Sequence, residues 1–212
     1  MRAVVISLLS VLMIASPSQS ATLNLPEAPR LEVKGGPPRP VPIVLRLSDE
    51  LASQIYVVKT SPFDTIKYPI GSYSAALLAK NLDLVFRTDP AARATQDSGQ
   101  AAPVLELAIE RFEAVIPHPA YKPYTADVVY RATVKDPQGD VLFTSAATAS
   151  AQTSKGMLSG ATAKRLAGEA AARAMNDAMT QLLESLLAAE ELDGLEAQVG
   201  TAASEANPGG ES

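Results

Sequence analysis

The chain has no cysteine, no tryptophan and a single histidine, His118. Without cysteine there are no disulfides and no thiolate metal sites, so a folded domain must rest on its hydrophobic core. One histidine, set between Pro117 and Pro119, provides neither a partnered catalytic base nor a zinc-ligand set. The sequence also lacks a D-x-[DN]-x-[DN]-G calcium loop, a G-x-S-x-G nucleophile elbow and a Gly-rich phosphate loop after a strand. The reading that follows is of a non-enzyme with no cofactor.

Positive charge is missing from the C-terminal end. No Lys or Arg follows Arg173, whereas eight acids do, from Asp177 to Glu211. Setting aside Arg2 and those eight acids leaves 17 basic and 15 acidic residues. There is therefore no basic stripe for nucleic acid and no polybasic patch for lipid headgroups.

The first twenty residues, MRAVVISLLSVLMIASPSQS, read as a secretory signal peptide. Arg2 precedes an apolar run from Ala3 to Ala15 that is too short to span a bilayer. Ser18 and Ser20 stand where a signal peptidase reads, which places the cut before Ala21. No later segment reaches a transmembrane length. The expected location is secreted, in a bacterial periplasm. With no Cys after the cut, lipid anchoring through that residue is excluded.

Six prolines between residues 21 and 42, with Gly35 and Gly36 among them, predict an extended linker or an arm hugging an edge. A single domain is expected over residues 43–190, and residues 191–212 are expected to form an acidic, disordered tail.

Ile43–Leu47 and Ile55–Lys59 have strand character. The stretch TSPFDTIKYPIGS reads as a loop, with Ser72 capping a helix over about Tyr73–Phe86. In VLELAIERFEAVI, residues Leu105, Leu107 and Ile109 alternate with Glu106, Ala108 and Glu110, as in a half-buried strand. VVYRATVKDPQGDVLFTSAATASA predicts a hairpin turning at Asp136-Pro137-Gln138-Gly139. Its core face is Val128, Tyr130, Ala132, Val134, Val141 and Phe143. A long helix follows over about Thr162–Glu190, with an Ala-rich start and a Leu-rich end. The order ββαβββα predicts an α+β fold: an antiparallel sheet of about five strands with two helices on one face.

Candidate chemistry resolves into bland alternatives. Glu106 and Glu110 suit the solvated side of a strand better than a carboxylate pair. Ser154-Lys155, and Ser159 with Lys164, lack the S-x-x-K spacing that places both groups on one helical face. Two aromatic loops are the better candidates. Phe63 and Tyr68 lie in one; Tyr121, Lys122 and Tyr124 lie in the other, stiffened by Pro117, Pro119 and Pro123. Tyrosines suit interfaces, and they equally suit covering the open ends of a sheet. Leu182, Leu183, Leu186 and Leu187 could bury in the domain or dock on a partner.

IGSYSAALLAKNLDLVF as a helix, the acidic strand, the hairpin and the final AAARAMNDAMTQLLESLL helix together resemble small cell-envelope lipoproteins of Gram-negative bacteria. The pattern is similar to the YajG-like family and to auxiliary lipoproteins of ABC-type lipid transport systems, over about residues 41–190. The resemblance implies a non-enzymatic envelope role on an α+β domain, with an envelope protein or lipid-transport component as partner. The chain departs from those families in lacking the lipidated Cys. The alternative function is a carrier of a hydrophobic small molecule or lipid, held between the sheet and an Ala-rich helix. Oligomeric state is not legible.

Overall fold

The computed structural model describes residues 19–195 apart from 42, 61–63, 88–101, 118–122, 154–159 and 194. The hairpin is the most locally determined part. β6 (Thr125–Lys135) and β7 (Val141–Gln152) pair antiparallel along their length. Asp136 closes the turn between them. Its carboxylate accepts from the N–H groups of Gln138 (2.9 Å) and Asp140 (2.8 Å), and its carbonyl accepts from Gly139 (3.1 Å). Gly139 has φ +97°, a conformation open to glycine and strained for residues with a Cβ.

Ala126, Val128, Tyr130, Ala132 and Val134 alternate into the core, as the pattern predicts. One member of the expected inward set is corrected: Val141 is 60% exposed. Val134 pairs with Phe143 while Lys135 pairs with Val141, so an irregularity beside the turn shifts the phase of the return strand. From Phe143 onward the odd-numbered residues face inward, and Ala147 and Ala149 are buried.

β5 (Val104–Val115) pairs with β6, and its alternation also breaks once. Ile109 faces Tyr130 and Arg111 faces Val129, which leaves Glu110 as an inserted residue. Inward positions therefore change from Leu105 and Leu107 to Phe112. β2 (Val44–Arg46) lies on the far side of β5 and runs parallel to it. The sheet order is β2-β5-β6-β7.

The α+β class holds, but the single antiparallel sheet of about five strands is corrected to two sheets. The second sheet has the order β1-β4-β3, with β1 (Gln19–Thr22) parallel to β4 (Asp64–Tyr68) and β3 (Tyr56–Lys59) antiparallel to it. β4 occupies a stretch expected to be a loop. Its pattern is only five residues long and is followed by Pro69, so local composition reads as a turn. Its partners, distant β1 and nearby β3, make it a strand. The first two residues of β1 precede the expected cut before Ala21.

α1 (Asp49–Ser53) is a short helix whose N-cap, Ser48, accepts from Leu51 N–H (3.0 Å). α2 (Ile70–Asn81) begins directly after Pro69, so Ser72 is not its cap; the Ser72 hydroxyl instead donates to the Pro69 carbonyl (3.2 Å). A 3-10 turn over Leu82–Leu84 follows α2, where the helix was expected to continue. The expected apolar face is buried all the same: Tyr73, Leu77, Leu78, Leu82, Val85 and Phe86. Gly71 allows α2 to start against α1, because a Cβ there would lie 1.7 Å from the Leu51 carbonyl oxygen.

α3 (Gly160–Ala188) lies across β6 and β7. Ala170, Ala171, Ala174 and Ala178 allow close approach, and Met175 and Met179 fill the remaining space; all six are buried. Leu182, Leu183 and Leu186 are fully buried, so the Leu-rich end belongs to this domain's own core. Each such leucine contributes about 2 kcal/mol of burial before chain entropy is counted. The core also holds a polar pair. Tyr130 Oη and Ser74 Oγ lie 2.7 Å apart, and Ser74 donates to the Ile70 carbonyl (2.7 Å). Burial pushes the Tyr130 hydroxyl above its ordinary 10.0, so it stays protonated.

Residues 23–41 pack along α2 and α3. Leu23, Ala28, Leu31 and Val41 are buried. Asn81 holds this arm by accepting from Leu31 N–H (2.8 Å) and donating to the Pro29 carbonyl (3.0 Å). Arg39 is the arm's other fixed point. Its buried guanidinium donates to the carbonyls of Leu186, Leu187 and Ala189 at the end of α3, and it pairs with Asp193. A cation is favoured at that helix terminus, and the bonds satisfy the Leu186 and Leu187 carbonyls of the last helical turn; the Ala189 carbonyl also accepts from Leu192 N–H (3.2 Å). The chain does not leave the fold at Glu190. Leu192 and Leu195 are buried, which moves the expected start of the tail beyond Leu195. Residues 196–212 lie outside the described residues.

Candidate functional site

The two sheets meet at an aromatic seam. Tyr56 on β3, Tyr68 on β4 and Phe112 on β5 form a triangle of rings. Tyr56 meets Phe112 nearly edge-on with centroids 5.1 Å apart; Tyr68 and Phe112 are 5.6 Å apart, and Tyr56 and Tyr68 6.3 Å apart. Edge-on and tilted pairs set the positive ring edge against a negative face, which stabilises the contact beyond its buried area. Phe112 reaches the seam because the extra residue in β5 turns it inward. Tyr68 reaches it through the alternation of β4.

The sequence candidates fall as follows. Tyr68 and Tyr124 are buried, so neither is the open contact residue expected of an interaction surface; they are core positions of the seam. This corrects their assignment. Both sit at strand boundaries whose inward direction is decided by pairing: Tyr68 ends β4, and Tyr124 precedes β6. Phe63, Tyr121 and Lys122 lie outside the described residues, as do His118, Ser154, Lys155 and Ser159. Glu106 pairs with Lys135 (2.6 Å) and Arg46 (3.5 Å), while Glu110 pairs with Arg131 (2.6 Å). Both carboxylates are thus engaged on the sheet's outer side. Among the described residues, no group of three or more His, Cys, Asp or Glu could hold a metal ion.

Sequence reasoning missed Tyr56 and Phe112. In the sequence Tyr56 shows only strand character. Phe112 is out of phase with Leu105 and Leu107, and that phase break is the one signal that could have revealed the bulge. Burial, with neighbouring Tyr56 and Tyr124, pushes the Tyr68 hydroxyl above its ordinary 10.0. Tyr68 thus stays a neutral phenol. The seam supplies aromatic area and hydroxyl groups that can donate or accept hydrogen bonds. Thr153 adjoins it: its N–H donates to the Tyr124 carbonyl (3.0 Å), and its buried hydroxyl has no hydrogen-bond partner.

Three exposed apolar residues, termed the rim, neighbour the seam rings in sequence and alternate to the outer faces of the strands. Ile55 (52% exposed) and Val57 (48%) flank Tyr56, and Val115 (56%) follows three residues after Phe112. These are three of the four large apolar side chains most open to solvent among the described residues, and they lie within a few residues of the Tyr56–Phe112 contact. No described helix is long and apolar enough to cross a membrane.

No protein-family model matches the chain, and no curated protein matches it in sequence. Solved structures do show likeness. A Xanthomonas campestris protein of the DUF330 family is 14% identical, covers 85% of this chain and 98% of its own, and has a TM-score of 0.42. A candidate lipoprotein of Caulobacter crescentus is 17% identical over 43% of this chain and 72% of its own, with a TM-score of 0.33. A third, uncharacterized protein is 13% identical over 79% of this chain and 97% of its own, with a TM-score of 0.36. At these scores the likenesses decide neither fold nor function, which rest on the geometry above.

Proposed function

We propose that the protein is a secreted, non-enzymatic accessory protein of the cell envelope that binds another envelope protein through exposed apolar side chains on and beside β3 and β5. The observation that carries this reading is the exposure of Ile55, Val57 and Val115 on the outer side of the two strands that Tyr56 and Phe112 pin together. Exposed apolar groups on strands already held by a buried seam bury area on docking at little entropic cost. The signal-like N-terminus supplies the compartment.

The test places a photo-crosslinking amino acid at Ile55, Val57 or Val115, and at the exposed control position Thr144, in cells of the source organism. The rim positions are expected to give one shared envelope-protein adduct that the control position does not. No adduct, or the same adduct from Thr144, overturns the proposal.

A further inference from the structure

A second surface lies on the opposite edge of the four-stranded sheet. β7 is an end strand, and among the described residues nothing pairs with its outer edge. Exposed edges are ordinarily guarded by charge, proline, a bulge or shortness. The other end strand, β2, has three residues and carries Arg46. β7 has twelve, VLFTSAATASAQ, with no charged residue and no proline. Its side chains are small from Ser145 to Ala151, so a neighbouring backbone can approach.

Beside this strand runs an open groove of about 590 Å³. It is lined by Thr148 and Ser150 of β7, by Asp177, Thr180 and Gln181 of α3, and by Glu32 of the arm. Among the described residues that line it are two carboxylates and no cation. Among the described residues no Lys or Arg forms a salt bridge with either Glu32 or Asp177. Other acids of the helices are paired in contrast: Asp83 with Arg30 and Glu169 with Arg165.

We infer that β7 and this groove form a docking site for an extended segment of a partner protein carrying Lys or Arg at alternate positions. The segment adds a strand to the sheet. Main-chain hydrogen bonds to the β7 edge provide attachment, and the alternate side chains reach Glu32 and Asp177. Charge complementarity selects this occupant over a second copy of the chain. Edge-to-edge pairing of two copies would bring the Glu32 and Asp177 carboxylates of both subunits toward one seam, where like charges repel.

The probe is a fluorescent peptide of alternating Thr and Lys, titrated into the full mature chain by anisotropy. Two comparison peptides alternate Pro with Lys and Thr with Glu. The Thr/Lys peptide is expected to bind and to weaken with salt. The Pro/Lys peptide, with equal charge but without half of the backbone donors, is expected to bind at least tenfold more weakly, about the loss that follows from removing strand pairing. Glu32→Lys combined with Asp177→Lys should weaken Thr/Lys binding by about tenfold, whereas Glu169→Lys should leave it unchanged. Circular dichroism establishes that each variant is folded. Equal binding of the two Lys peptides reduces the interaction to attraction by net negative charge and overturns the proposal. Unchanged binding by the folded double variant also overturns it, as does absence of Thr/Lys binding. A wild-type dimer in sedimentation that Thr148→Lys converts to monomer would assign the edge to a second copy, with the same consequence.

Discussion

The β6–β7 hairpin and the stretch from β3 through α2 both contain antiparallel strands that are neighbours in sequence, yet they are determined differently. In the hairpin, Asp136 and Gly139 set the turn through contacts within five residues, and each strand pairs with its sequence neighbour. In the stretch from 56 to 81, β4 pairs with β1 some 45 residues earlier, as in Gln19 with Asp64. α2 starts where Gly71 meets the α1 carbonyl of Leu51 and where its N–H donates to Gln54 O (3.0 Å). Turn chemistry can be read from four residues. A parallel pairing with an arm, or a contact between two helix ends, has no signature at that range.

The comparison predicts unequal consequences for two glycines. Gly71→Ala has the largest expected effect. Its Cβ meets backbone that cannot rotate away, so α1 and α2 must separate, at an expected cost of about 3 kcal/mol. Urea denaturation measures it, and a loss under 1 kcal/mol would show that the α1–α2 junction yields. Gly139→Val is expected to cost less, about 1 to 2 kcal/mol, from strain at positive φ alone, because nothing lies within 4 Å of the added Cβ. It should leave rim crosslinking intact at temperatures where the variant is folded. Loss of the adduct in folded protein would mean that the hairpin turn takes part in binding.

The smallest effect concerns how the arm is held. Arg30 grips Asp83 with a second bond of 2.8 Å, and this hydrogen bond, more than Coulomb attraction, holds the Asp83 carboxyl below its ordinary 3.8. A depressed carboxylate contributes stability that is present above 3.8 and lost as pH falls through the lower folded value. Both side chains are about half exposed, so the contribution is about 0.5 kcal/mol. Asp83→Asn should therefore lower stability slightly at pH 7, and its difference from wild type should shrink as the pH falls below 3.8. A difference that persists unchanged at low pH would assign the effect to something other than the ion pair.

Much of the four-stranded sheet was legible. Val128, Tyr130, Ala132 and Val134 follow an alternation that only a half-buried strand explains. The α3 stripe was legible for a similar reason, since its helical period is sustained over 29 residues. Failures occurred where one extra residue changes the phase. Val141 was expected inside and is exposed beyond the irregularity at Lys135; Phe112 was not placed because Glu110 is inserted before it. The candidate site was less legible. Tyr68 and Tyr124 drew attention as aromatic residues near prolines, but composition does not say whether a tyrosine faces solvent or seals a junction between sheets. The seam depends on three strands meeting, and none of the three encodes the others.

The sequence by itself determined the α+β class, the hairpin with its turn, the apolar faces of α2 and α3, and the absence of a recognisable catalytic or metal-binding motif. These follow from local periodicity and residue chemistry, which act over a few residues. Only the tertiary structure decided that there are two sheets, that the arm is clasped by Asn81 and Arg39, that Tyr68 and Tyr124 are buried, and that β7 lies at an uncharged edge. Those outcomes depend on pairing and burial between segments far apart in the chain, where the stabilising contact belongs to neither segment alone.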